Sequence, residues 1–114
     1  MRCARQQAEA ILEAVPRHAE TTVVLAAAWR LGGDPAQALA VVAPLARALP
    51  TLAEAQLELG LALADLGRTA EAVAAFQRTV ALDARAGEAW RGLAEGLDLL
   101  GDKAGAEKAL AQQL

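Results

Sequence analysis

The chain has 114 residues, with 11 Lys and Arg against 14 Asp and Glu, so its net charge is −3. That balance speaks against nonspecific nucleic-acid binding, which needs clustered cations on phosphates. Apolar residues make up 55% but aromatics only 3%, which suits thin helix–helix layers of Ala and Leu, not a deep globular core. No stretch reaches the roughly 18 consecutive apolar residues of a membrane span, and the opening MRCARQQAEAIL lacks the apolar centre of a secretory signal. The single Cys3 excludes an internal disulfide and reads as a bystander thiol. Together these features lead us to expect a cytoplasmic protein.

A fixed step of 34 residues runs through the chain. Leu25, Leu59 and Leu93 keep it, as do Gly33, Gly67 and Gly101. Ala38, Ala72 and Ala106 keep it too, with Glu20, Glu54 and Glu88, and with Pro16 and Pro50. Such a period in helical sequence marks stacked helix hairpins, none of which can bury its apolar faces alone.

In chain order, residues 1–15 read as the second helix of an incomplete repeat. Ala4 falls where Ala38, Ala72 and Ala106 fall, and Ile11 and Leu12 are expected to face the next hairpin. Pro16 is expected to end that helix, with Arg17 and His18, the only histidine, in a solvated turn. Residues 19–31 are the first leading helix, stopped by Gly32-Gly33. Asp34-Pro35 opens the next, Asp as N-cap and Pro in the first turn, with Gln37 able to complete a capping box. Pro44 lies mid-helix and predicts a kink or break near residues 41–43.

Pro50 closes that hairpin, and Thr51 with Glu54 reads as a capping box for a helix over 53–66. Leu52, Ala55, Leu59, Ala62, Leu63 and Leu66 share one face of it. Gly67 ends it, and a helix from about Thr69 buries Ala72, Val73, Phe76 and Val80. Gly60 and Ala72 allow the two axes to approach closely. Residues 88–100 form the next leading helix, in which Gly92 and Gly96 each cost about 1 kcal/mol of helix propensity and Trp90 packs into the neighbouring hairpin. Gly101-Asp102 turns the chain into a last helix over 103–113, which carries Ala106, Ala109, Leu110 and then Leu114.

The unit resembles the tetratricopeptide repeat. Residues 53–86 carry that family's Leu-Gly pair as Leu59-Gly60, its Gly before the turn as Gly67, its small residue as Ala72 and its aromatic as Phe76. The early Trp appears as Trp90, followed in register by Leu93, Ala94, Leu97, Gly101, Ala106 and Leu110. The first repeat matches with Leu25, Ala26, Trp29, Gly33, Ala38 and Pro50. Thr22 and Gln56 depart from the early Trp, Leu63 and Leu97 from the usual Tyr, and Ala84 from a closing Pro. The resemblance covers the whole chain. It implies an all-α fold, a right-handed α-solenoid of antiparallel hairpins with about seven helices. The single domain would hold a half repeat at 1–18 and repeats at 19–52, 53–86 and 87–114, the last truncated.

In the resembled family the leading helices line a concave groove that holds partner segments. Carried over residue by residue, that groove takes Val23, Ala27 and Arg30 from the first hairpin, with Glu20, Val24 and Leu31 beside them. Glu54, Leu57, Glu58, Leu61 and Asp65 come from the second, with Ala64. Glu88, Arg91, Glu95 and Asp98 come from the third, with Gly92 and Leu99. The set holds seven acids and two bases, a net charge of −5 in a chain of −3. The expected partner is a basic or amphipathic protein segment, with Leu57 and Leu61 as an apolar floor. Glu20, Glu54 and Glu88 have a second explanation, since carboxylates in a first helical turn favour the dipole whatever the ligand. Chaperone-tail binding is excluded: its carboxylate clamp would fall on Val23, Ala27, Glu58, Glu88 and Gly92, none of them a cation or an amide.

No catalysis is expected. There is no His/Cys/Asp cluster at metal spacing, no glycine-rich phosphate loop and no nucleophile beside a base, so neither cofactor nor metal is implied. The chain reads as an interaction module for a protein or peptide, not for nucleic acid or membrane. Two alternatives remain. The segments LEAVPRH at 12–18 and LLGDKAGA at 99–106 resemble the repeats at the front of bacterial sulfotransferases, which would make this a substrate-presenting or dimerising arm of a larger enzyme. The ends lack a polar capping helix, so homo-oligomers could also form through Leu110 and Leu114.

Overall fold

A computed structural model of the chain describes residues 4–113, and side chains from 18 to 112. Six helices follow one another: α1 (Ala4–Leu31), α2 (Pro35–Ala48), α3 (Ala53–Asp65), α4 (Thr69–Leu82), α5 (Gly87–Leu99) and α6 (Lys103–Gln113). Each packs on the next in sequence. The leading helices α1, α3 and α5 also touch one another in turn, whereas α2, α4 and α6 do not among the described residues. The result is a solenoid with leading helices on the inner side and second helices splayed outward.

The period appears most directly at the hairpin turns. Gly33, Gly67 and Gly101 adopt φ of 96°, 79° and 89°, a left-handed conformation that glycine reaches without a Cβ clash. At each, the following residue's N–H reaches back to close the helix end: Asp34 to the Trp29 carbonyl, Arg68 to Leu63, Asp102 to Leu97. These are Schellman closures that satisfy orphan carbonyls. Asp34 caps α2 by accepting from the Gln37 N–H at 3.0 Å. Thr51 caps nothing: α3 starts from Leu52, which makes no side-chain cap bond. Glu54 therefore lies one position too early in its helix for the reciprocal bond of a capping box.

Alanine sets the layer spacing. Among the described residues, twelve of the seventeen buried apolar ones are Ala, so the helices approach until few gaps need filling. The large exception is Phe76, 1% exposed. Its ring occupies the space where Gly60 of α3 and Gly92 of α5 would carry a Cβ; an added carbon would lie 2.7 Å and 2.6 Å from ring atoms. Gly96 does the same for Val73, at 2.5 Å. The cost in helix propensity at Gly92 and Gly96 thus admits α4 side chains into α5. Leu39 and Leu59 touch both the α1–α3 cluster and the α3–α6 cluster, which makes the core continuous.

Two expected breaks do not occur. α2 runs through Pro44 without interruption. The carbonyl that loses its bond belongs to Ala40, and both residues are exposed, so water can satisfy it. α1 likewise runs through Pro16 to Leu31, placing Arg17 and His18 within a helix and making six helices of the expected seven or so. The physical reason lies in how the other inter-repeat turns are held. Trp90 Nε1 donates to the Ala84 carbonyl at 2.8 Å, and Gln56 Nε2 donates to the Pro50 carbonyl at 3.3 Å. These are equivalent bonds, 34 residues apart, spanning six residues back across each turn. The matching residue in α1 is Thr22, whose hydroxyl is too short for that span. Cys3 and Leu114 fall outside the described residues, as do the side chains of Ala4, Ile11 and Leu12.

Gly60→Ala and Gly92→Ala should each lower stability by about 1–2 kcal/mol, because overpacking against Phe76 outweighs the gain in helix propensity. Gly87→Ala, where nothing lies within 4 Å, is the control and should be neutral or stabilising. Urea unfolding midpoints check this; unchanged midpoints for both core variants would contradict the packing described.

Candidate functional site

The groove positions sit on the leading helices at steps of three and four, so each helix presents one stripe inward. Glu20, Glu54, Asp65, Glu88, Arg91, Glu95 and Asp98 are exposed, and Val23, Ala27, Arg30, Leu57 and Leu61 are partly buried. Leu57 and Leu61 rest against the core cluster with part of their surface open.

Glu58 differs from its expected role. It is buried, and it accepts two hydrogen bonds from Arg30, from Nε at 3.1 Å and from Nη2 at 3.0 Å. This bidentate pair joins α1 to α3 and supplies structure across the groove instead of a ligand contact. The sequence spacing holds the signal in hindsight: Arg30 lies near the end of one leading helix and Glu58 near the middle of the next. Hydrogen bonding to Glu58 raises the Arg30 pKa above its ordinary value; burial opposes this, and the charges of Glu58, Asp65 and Glu88 add to it. Acids from α3 and α5 therefore converge on this one guanidinium.

With that pair set aside, six exposed acids face one exposed base, Arg91. Glu54 and Glu88 do lie in the first turns of α3 and α5, where the helix dipole favours them. Glu20 lies well inside α1, so the dipole does not account for it. Asp65, Glu95 and Asp98 are not in first turns either.

The residues are not gathered into one cavity. A hollow of about 630 Å³ takes in Glu20, Val23, Val24 and Glu54 together with Leu49, Thr51 and Leu52 of the inter-repeat turn. A second, of about 380 Å³ at the far end, joins Arg91, Glu95 and Asp98 to Lys103, Glu107 and Leu110 of α6. Ala27, Arg30, Leu57, Glu58, Leu61, Asp65 and Glu88 line neither. The contributions of the turn and of α6 escaped a reading confined to leading helices. Among the described residues no group of three His, Cys, Asp or Glu could hold a metal ion. No helix is long and apolar enough to cross a membrane among those residues.

No family model matches the sequence, and no curated protein does. Solved structures do. The crystal structure of MamA, a tetratricopeptide-repeat protein, superposes with a TM-score of 0.79 at 27% identity over 92% of this chain. An arginine-to-glutamate mutant of MamA gives 0.74 at 23% identity over 82% of this chain and 69% of its own. An aspartate-to-lysine mutant gives 0.74 at 20% over 96% and 62%. This chain spans 61% of the MamA chain in the first comparison. The fold is therefore that of a tetratricopeptide-type solenoid, while none of these three structures speaks for the sulfotransferase reading.

Arg30→Met should destabilise by about 2 kcal/mol, since it leaves a buried carboxylate without its donor. Arg30→Met with Glu58→Leu should cost less than the sum of the two single changes. A double-mutant cycle from chemical unfolding measures this, and strictly additive losses would mean the pair is not coupled.

Proposed function

We propose that this tetratricopeptide-type solenoid is a non-catalytic module that holds a basic, amphipathic protein segment against its inner face. The observation that carries the reading is the charge of that face: among the described residues, six exposed acids of α1, α3 and α5 stand against one exposed base of those helices, Arg91, with Lys103 and Glu107 of α6 beside Glu95 and Asp98, and Leu57 and Leu61 are partly exposed on α3. A segment with one apolar stripe and Lys or Arg beside it matches both features. The likeness to MamA supports the coarser part, a protein-binding repeat without chemistry of its own. The exposed acids support the finer part.

The recognition works in two stages. The acidic field steers cationic segments and raises the encounter rate, an effect that salt screens over about 8–10 Å. Burial of the partner's apolar stripe on Leu57 and Leu61 then slows release. The Arg30–Glu58 pair stiffens the face between them, so little ordering cost falls on the solenoid when a segment docks.

The test is fluorescence polarisation with a labelled Lys/Leu amphipathic peptide and its Glu/Leu counterpart. Binding of the basic peptide is expected, weakened about tenfold or more by Glu95→Lys with Asp98→Lys, a difference of about 1.4 kcal/mol. Raising salt from low to physiological strength should weaken it further. Equal binding of the acidic peptide would contradict the proposal.

A further inference from the structure

The turn from α2 into α3 and the turn from α4 into α5 hold equivalent places in the repeat, yet their surroundings differ. The hollow of about 630 Å³ lies at the first of them. It brings Val23 and Val24 of α1 together with Leu49 and Leu52 of the turn, and Glu20 and Glu54 line it as well. One period later the places of those four apolar residues hold Leu57, Glu58, Asp83 and Ala86. Neither hollow takes in any of these.

The substitutions account for the difference. Leu57 packs against the core, and Glu58 is engaged by Arg30, so longer side chains occupy that part of the second junction. Asp83 serves its own turn by accepting from the Arg85 N–H at 3.0 Å. At the first junction two valines leave space open, and two leucines make its wall apolar.

Size, polarity and charge together restrict what can enter. The volume falls within the roughly 300–1,000 Å³ of pockets that enclose ligands. Val24 is 63% exposed, so the wall keeps apolar surface for a partner to cover. Glu20 and Glu54 both carry acid to the hollow, and the described residues that line it include no Lys or Arg. At the second junction Arg85 stands in the place of Thr51. The first junction alone therefore pairs an apolar hollow with uncompensated carboxylates, which suits an aliphatic group with a cation beside it.

We propose that this hollow anchors the partner segment. One turn of the segment's apolar stripe, carrying Leu, Ile or Met, seats among Val23, Val24, Leu49 and Leu52. The Lys or Arg beside that turn pairs with Glu20 and Glu54. The remainder of the segment runs from there toward Leu57 and Leu61. This rests on the inner-face reading above and adds the point of engagement. The exposed carboxylates act on encounter and selectivity, and the enclosed apolar contact governs release.

The test uses the whole chain and the labelled Lys/Leu peptide. Val24→Gln makes the wall polar from an exposed helical position without changing charge, and should weaken binding about three- to tenfold, chiefly through faster release. Glu20→Gln with Glu54→Gln should weaken it severalfold at low salt and by less at physiological salt. Nuclear Overhauser effects from the peptide's Leu methyls then locate the anchor, with contacts expected at the methyls of Val23, Leu49 and Leu52. Wild-type affinity in both variants, or peptide contacts confined to Leu57 and Leu61, would overturn the anchor and leave the inner-face reading standing. Failure of the peptide to bind the unaltered chain would overturn both.

Discussion

The solenoid depends on one ring in one gap. Phe76 projects from α4 into space that Gly60 and Gly92 leave open on α3 and α5, and thereby fixes three helices with one side chain. Elsewhere the layers are held by alanine, whose small burial contributes little per residue. A chain with 3% aromatics has few such anchors, so where they stand matters more than how many there are. The same ring accounts for Gly92 in α5, and Val73 accounts for Gly96, two interior glycines that helix propensity alone disfavours.

A repeat that packs this way exposes its leading helices on one side and leaves their inner stripe free to vary. Here that stripe is acidic. The one strong charge pair on it, Arg30 with Glu58, spans from α1 to α3 and is largely shielded, so it serves the scaffold, and the acids around it keep their charge facing outward. Fold and recognition are thus divided between neighbouring positions on the same helices. Phe76, the glycines and the alanines fix the spacing; in the proposed function Glu95, Asp98, Asp65, Leu57 and Leu61 are the residues that would select what lies against it.

Much of the architecture was legible in the sequence because the 34-residue step is a physical consequence of stacking. The hairpin glycines and the Asp34 cap follow from local chemistry that sequence shows directly. Other features were not legible. Pro44 suggested a break, but whether a lost hydrogen bond matters depends on exposure, which only packing decides. Pro16 suggested a turn, but a turn also needs a side chain to hold it, and the role of Gln56 and Trp90 appears only when their donors are seen on matching carbonyls. Glu58 looked like a ligand contact because spacing places a residue on a face without showing that a cation from the adjacent helix already meets it there. The site was therefore readable as a face and a charge, and not as a set of free contacts.

The central claim is that basic amphipathic segments lie on the inner side of the leading helices. Its most direct test is an amide chemical-shift map of the isotopically labelled protein during titration with a Lys/Leu amphipathic peptide. The account predicts saturable shifts concentrated at Leu57, Leu61, Asp65, Glu95 and Asp98. Shifts confined to the outward faces of α2, α4 and α6, or none at saturating peptide, would contradict it.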